Sequence, residues 1–174
     1  MKNEKSANFE RLLHNLSYMP KKIISLEGNE KTPEFVLHEL CNKDYFDLEK
    51  AAFFVDSPDF NYLKGIAGFN KAEAFTEQDI WSDPYGFIEH MEKASFNQMV
   101  RKLTGSSIKN EQLSEKALLK MAQELGFHAP AFHSWEMKHA NHGFLIYESN
   151  GSSPKEAQDH LENSLYLFSF CAIF

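Results

Sequence analysis

Apolar residues recur at helical spacing in several stretches of the chain. Phe9, Leu12, Leu13 and Leu16 share one face of a segment over residues 6–17. Val36, Leu37 and Leu40 do the same over 33–42. Ile88, Met91 and Met99 mark a long helix over 84–103. Leu118, Met121, Ala122 and Leu125 form a stripe over 111–125, and Gly126 sits where a left-handed C-terminal cap belongs. A fifth helix is predicted to begin at 154. Three prolines sharpen the starts. Thr32-Pro33, Asp83-Pro84 and Ser153-Pro154 each place a capping residue before a proline, which lacks the donor that the first helical turn leaves unpaired. Ser153 and Glu156 also have the spacing of a capping box.

Shorter apolar runs predict strands over 22–27, 51–56 and 63–69. Residues 131–138 and 143–149 predict a hairpin around Ala140-Asn141. The tail, residues 165–174, begins with Leu165, closes on Phe174 and is almost wholly apolar. A buried strand is the preferred reading of it. Strands and helices alternate irregularly, and hairpins supply some connections. The expected fold class is therefore α+β, a largely antiparallel sheet packed against about five helices. With 174 residues and no linker-like stretch, the chain is expected to form a single domain. Residues 1–20 would be a helical N-terminal extension packed on it.

Composition refines this picture. Sixteen Phe residues suit helices on a sheet better than an all-β sandwich, which favours β-branched side chains. The net charge is −7 and unevenly spread. Residues 1–22 hold five basic and two acidic side chains, 23–96 six and fifteen, and 97–174 seven and eight. An acidic middle repels phosphate backbones, so no nucleic-acid partner is expected. Ten apolar residues cannot cross a bilayer, so no membrane partner is expected either. Cys41 and Cys171, with no export signal in view, point to free thiols and a cytoplasmic location.

The histidine segment carries the first candidate chemistry. His128, His133, His139 and His142 lie close together with Glu136 among them, and imidazole–carboxylate clusters are how proteins hold Zn²⁺ or Fe²⁺. A strand over 131–138 separates His133 from His139 by roughly 20 Å, too far for one ion. A two-residue turn at Ala140-Asn141 makes His139 and His142 a facing pair, with Trp135 opposite Ile146 and His133 opposite Glu148. A three-residue loop ending at Gly143 sets Glu136 opposite Glu148 instead. His139 and His142 are thus the candidate metal ligands.

Other patterns fall short of their motifs. His38-Glu39-Leu40-Cys41-Asn42 begins like H-E-x-x-H, but Asn42 replaces the second ligand. A His38/Cys41 dyad is opposed by the acidic residues that come after it, and Cys41 is expected to pack in the core. Asp56 ends an apolar run as catalytic aspartates do, yet Pro58 stands where phosphatases of the haloacid dehalogenase type carry a second Asp. Asp56 and Asp59 read better as turn residues. Gly65-Ile66-Ala67-Gly68 matches the short G-x-x-G of KH domains but lies in a strand-like, acidic region. Residues 84–125, with Arg101, Lys102, Lys109, Lys116 and Lys120, have too long a connection for a helix-turn-helix.

The leading expectation is a binding or interaction protein with a protein partner or self-association, the apolar tail from Leu165 onward forming a homodimer contact. No cofactor is required by this reading. The rival expectation is a metal-assisted hydrolase. It would hold a divalent metal on His139 and His142 and draw carboxylates from Asp56, Asp59 or Glu148. An aromatic pocket including Trp135 and Met137, holding a small apolar molecule, is a third.

Overall fold

The computed structural model describes residues 2–26, 29–76, 79–109, 115–150 and 155–171. In chain order the elements are α1 (Lys2–Ser25), α2 (Thr32–Cys41), β1 (Leu48–Ser57), β2 (Tyr62–Asn70), α3 (Pro84–Lys93), α4 (Ser95–Lys102), β3 (Thr104–Gly105), α5 (Glu115–Glu124), β4 (Ala131–Glu136), β5 (His142–Ser149) and α6 (Lys155–Ser164). The strands form one antiparallel sheet in the order β3-β2-β1-β5-β4. The fold is α+β, as the pattern of apolar positions predicts. No helix among the described residues is long and apolar enough to cross a membrane.

β1 is central, and residues 51–55 are buried on both faces. Ala51, Phe53 and Val55 face a layer made by α1, α2, α6 and the 3₁₀ turn Leu165–Phe170. Ala52 and Phe54 face α4 and α5. A third cluster, with Phe35, Ile80, Phe87 and Met91, closes the far side of α2. All ten residues of α2 are therefore buried, Glu34, His38 and Glu39 included.

α4 approaches β2 closely enough to need glycine. A Cβ on Gly65 would stand 1.8 Å from the Val100 carbonyl oxygen, and one on Gly68 would stand 2.8 Å from the Val100 side chain. The G-x-x-G pattern is thus a seat for a helix. Ile66 is a bulge between paired Phe53/Ala67 and Phe54/Gly65. Buried Asn97 locks the contact, accepting from Gly68 N at 2.8 Å and donating to Met91 O at 2.9 Å.

Local expectations hold where the signal is local. Asp83 caps α3 by accepting from Gly86 N at 3.0 Å. Gly126 takes φ +71° after α5, and Phe127 N and Gly126 N close the turn on Ala122 O and Gln123 O. The helix expected over 33–42 begins at Thr32 with Lys31 as its N-cap, so Thr32 is not the cap. The Ser153 cap, residues 110–114 and residues 172–174 lie outside the described residues.

Four expectations are corrected. The strand expected over 22–27 is the end of α1 as far as Ser25. Met19 and Ile23 continue the stripe of Leu12 and Leu16, and their burial offsets the hydrogen bond lost at Pro20. The single helix over 84–103 breaks at extended Ala94, where Glu73 Oε2 accepts from Phe96 N at 3.0 Å and starts α4 afresh. The described part of the tail, Leu165–Phe170, is a 3₁₀ turn, not a strand. Its period of three buries Leu165 and Phe168 and leaves Tyr166 and Phe170 exposed. The hairpin register pairs Glu136 with His142 and Trp135 with Gly143, so neither short turn forms. Trp135 dictates this, because its ring lies flat over Gly143, where a Cβ would come within 2.3 Å of it.

Gly65→Ala is expected to destabilise the fold by about 3 kcal/mol or more, because a backbone carbonyl cannot step aside. Gly68→Ala should cost less, since its nearest neighbour is a side chain. Urea unfolding of the two variants checks the order; equal midpoints would contradict it.

Candidate functional site

Two polar regions stand out, one at the end of β1 and one over α2. Asp56 and His142 are cross-strand partners, and Glu136 pairs with His142 on its other side. The structure thus brings together Asp56, His142 and Glu136. Asp56 is fully buried, and its Oδ2 accepts from Ser107 Oγ at 2.9 Å and Lys109 N at 3.3 Å. Its Oδ1 has no partner among the described residues. Asn61 Oδ1 accepts from Ser107 N, and Ser57 Oγ donates to Asn141 Oδ1 at 2.7 Å. The Lys109 ammonium lies on the His142 ring, 3.1 Å from Nδ1 and in contact with Nε2. Burial and this ammonium hold the His142 pKa below its usual value, against the opposing charges of Glu136 and Asp56.

The remaining sequence candidates lie elsewhere. His139 sits in the hairpin loop with φ +60° and makes no hydrogen bond or ion pair among the described residues. Asp59 is exposed in the 3₁₀ turn Pro58–Phe60. Glu148 is six residues from His142 along β5, roughly 20 Å away, and accepts from Ala129 N at 3.0 Å and His128 N. Among the described residues no three His, Cys, Asp or Glu side chains converge as a metal set. The Ser107 hydroxyl is tied to the carboxylate instead of to His142, so no nucleophile–base pair is assembled. What the geometry does provide is a clamp that holds residues 107–109 to the sheet.

The second region is larger. A cleft of about 650 Å³ opens between α1, α2, the end of β2, residues 74–76 and residues 79–80. Its apolar floor is Phe69, Phe75 and Ile80, and its rim carries Lys22, Glu39 and Asp79 among others. Glu39 is buried and accepts from Lys22 Nζ and Asn42 Nδ2, both at 3.2 Å. The Lys22 ammonium also lies 5.3 Å over the Trp81 ring. Burial, together with the neighbouring Glu39 charge, pushes the Tyr45 phenol well above its usual value. Lys71 on the same rim is held at 2.9 Å by both Asp47 and Glu49.

His38 anchors the cleft wall. Its Nε2 accepts from Phe75 N at 3.2 Å, so the proton of the neutral ring is on Nδ1, which has no partner among the described residues. The ring meets Phe69 and Phe87 edge-on. Burial, and secondarily the charge of His90, lowers its pKa to about 4. Cys41, one turn on, is in the core with its thiol pKa pushed well up by burial, which removes it as a nucleophile. The sequence placed His38, Glu39 and Cys41 on one helix. It held no signal that Phe75 would meet His38 across the cleft.

Two outcomes are expected from these contacts. Asp56→Ala orphans a buried hydroxyl and a backbone donor and should cost about 2–4 kcal/mol in urea unfolding, with Asp56→Asn costing less. An unfolded His38 takes a proton near pH 6.5, whereas the folded one does so only near 4. The unfolded state therefore binds more protons in that window, and stability falls as pH drops through it, by about 3 kcal/mol at most. Glu34, whose pKa burial raises, acts in the opposite sense. The stability difference between wild type and His38→Gln isolates the histidine. It should shrink steadily from pH 7 to pH 4, and a pH-independent difference would contradict this assignment.

Comparison of the chain with family models, with curated proteins and with solved structures gives no match, so its function is argued from its own geometry.

Proposed function

We propose that this protein is a binding protein whose ligand is a small, uncharged, amphipathic molecule held in the cleft over α2. The observation that carries this is the cleft itself, about 650 Å³ with an aromatic floor and a buried, fully paired Glu39 at its edge. Such a volume matches sites that enclose small molecules. Three lysines on the rim face three carboxylates, so neither sign of charge is favoured. Lys22 and Lys71 are already engaged by Glu39, Asp47 and Glu49. Recognition therefore rests on the apolar floor of Phe69, Phe75 and Ile80 and on neutral hydrogen-bonding groups such as Thr76 and Asn15 Oδ1. The hydrolase reading has less support, because His139, Asp59 and Glu148 do not join Asp56 and His142.

Ala74 lines the cleft and is half-buried, so Ala74→Trp fills the space without cutting into a fully packed position. Saturation-transfer NMR with indole, benzamide and 2-naphthol should detect binding to the wild type. Affinity should fall at least tenfold, about 1.4 kcal/mol, in a variant whose circular dichroism is unchanged. Binding that survives the substitution, or no binding by any of the three, would overturn the proposal.

A further inference from the structure

The two edges of the sheet are treated differently. On the β2 side, Gly65 N donates to Leu103 O, Gly68 N to Asn97 Oδ1, and Ile66 O accepts from Arg101. β3 pairs with the rest of that edge. That side is closed by α4, Leu103 and β3 together. On the other side, β4 has no partner beyond β5 among the described residues. Met137 N donates to Asn141 O at 2.8 Å. Counting back by twos from this pair puts the odd residues of β4 in bonded pairs with β5. The N–H and C=O groups of Phe132, Ser134 and Glu136 are thereby turned outward. The strand has no lysine, proline or bulge, the usual devices that blunt an edge.

A groove of about 420 Å³ runs beside this edge, between β4 and the α6 end. Trp135 and Phe132 line it from the strand, and Glu162, Asn163 and Tyr166 from the helical side. Trp135 is 5% exposed, and its Nε1 donor has no partner among the described residues. Tyr166 and Glu162 are about half exposed. No Lys or Arg among the described residues lines the groove, and Glu162 is its exposed carboxylate. Among the described residues of the lining the only cationic candidate is His133, 3.4 Å from Glu162, and burial lowers its pKa.

We propose that β4 and this groove form a docking site for an extended, basic peptide segment, which adds to the sheet as a sixth strand. The outward backbone groups supply the ladder. Glu162 pairs with the Lys or Arg side chains that fall on its face of the sheet. A second copy of this chain fits less well, because among the described residues its own β4 and groove bring a further Glu162 and no Lys or Arg to meet the first.

Fluorescence anisotropy with labelled TKVKVKT and TEVEVET tests this. The basic peptide should bind, and the acidic one at least about tenfold more weakly. Ser134→Pro removes an outward N–H and no bond to β5, so circular dichroism and melting should be preserved while binding drops about tenfold. Glu162→Lys should weaken the basic peptide to a similar degree. Should Ser134→Pro unfold the chain, TKVKVKT N-methylated along its backbone must bind wild type about tenfold more weakly. Equal binding of the two sequences, no binding of the basic one, or undiminished binding to folded Ser134→Pro overturns the proposal. So does a light-scattering mass that doubles with concentration in wild type only, which would give the edge to a second copy.

Discussion

β1 has no face open to water. Residues 51–55 are apolar and buried on both sides, so the sheet is stable only when two layers of helices cover it. The rest of the architecture answers that demand. α4 must come close, and Gly65 and Gly68 let it do so; the backbone groups it covers are met by Asn97 and Leu103. Where the apolar run ends, Asp56 is still inside. Its charge is tolerable because Ser107 and the Lys109 amide come over the strand end to meet it.

The same crowding makes α2 unusual. With the sheet below, α1 beside it and the 80–91 region on its far side, even its polar residues are enclosed. Glu34 is answered by Arg101, which reaches from α4 on the other sheet layer and also binds Ile66 O. Glu39 is answered by Lys22 and Asn42, His38 by the Phe75 amide. A buried charge with one partner removed is far costlier than the pair is valuable, so these contacts fix the relation of α1, α2 and α4. The cleft is the space left between this polar seam and residues 74–76 and 79–80.

Legibility varied with the range of the interaction. Asp83 as a cap, Gly126 as a left-handed stop and the extents of α2 and β2 were all readable, because each depends on neighbours a few residues away. The break at Ala94 was not: it is made by Glu73 and Asn97, which reach it from other parts of the fold or across the gap. Nor was the continuation of α1 past Pro20, since the burial of Met19 and Ile23 depends on what packs against them. The hairpin register turned on the Trp135 ring needing the bare backbone of Gly143, a contact no turn rule contains.

For the functional regions the division is similar. Sequence by itself determined the α+β class, the chemistry held on α2 and the proximity of Asp56 to a turn, because propensity, periodicity and capping act along the chain. It also singled out His142 and Asp56 but not their meeting, which needs the β1–β5 register. The tertiary structure alone decided that His139 and Glu148 stand apart from that pair. It likewise decided that His38 and Glu39 border a cleft, and that, among the described residues, the β2 edge is covered while β4 pairs with β5 alone. Each of these rests on contacts between residues distant in sequence, whose energies exist only once both sheet faces are covered.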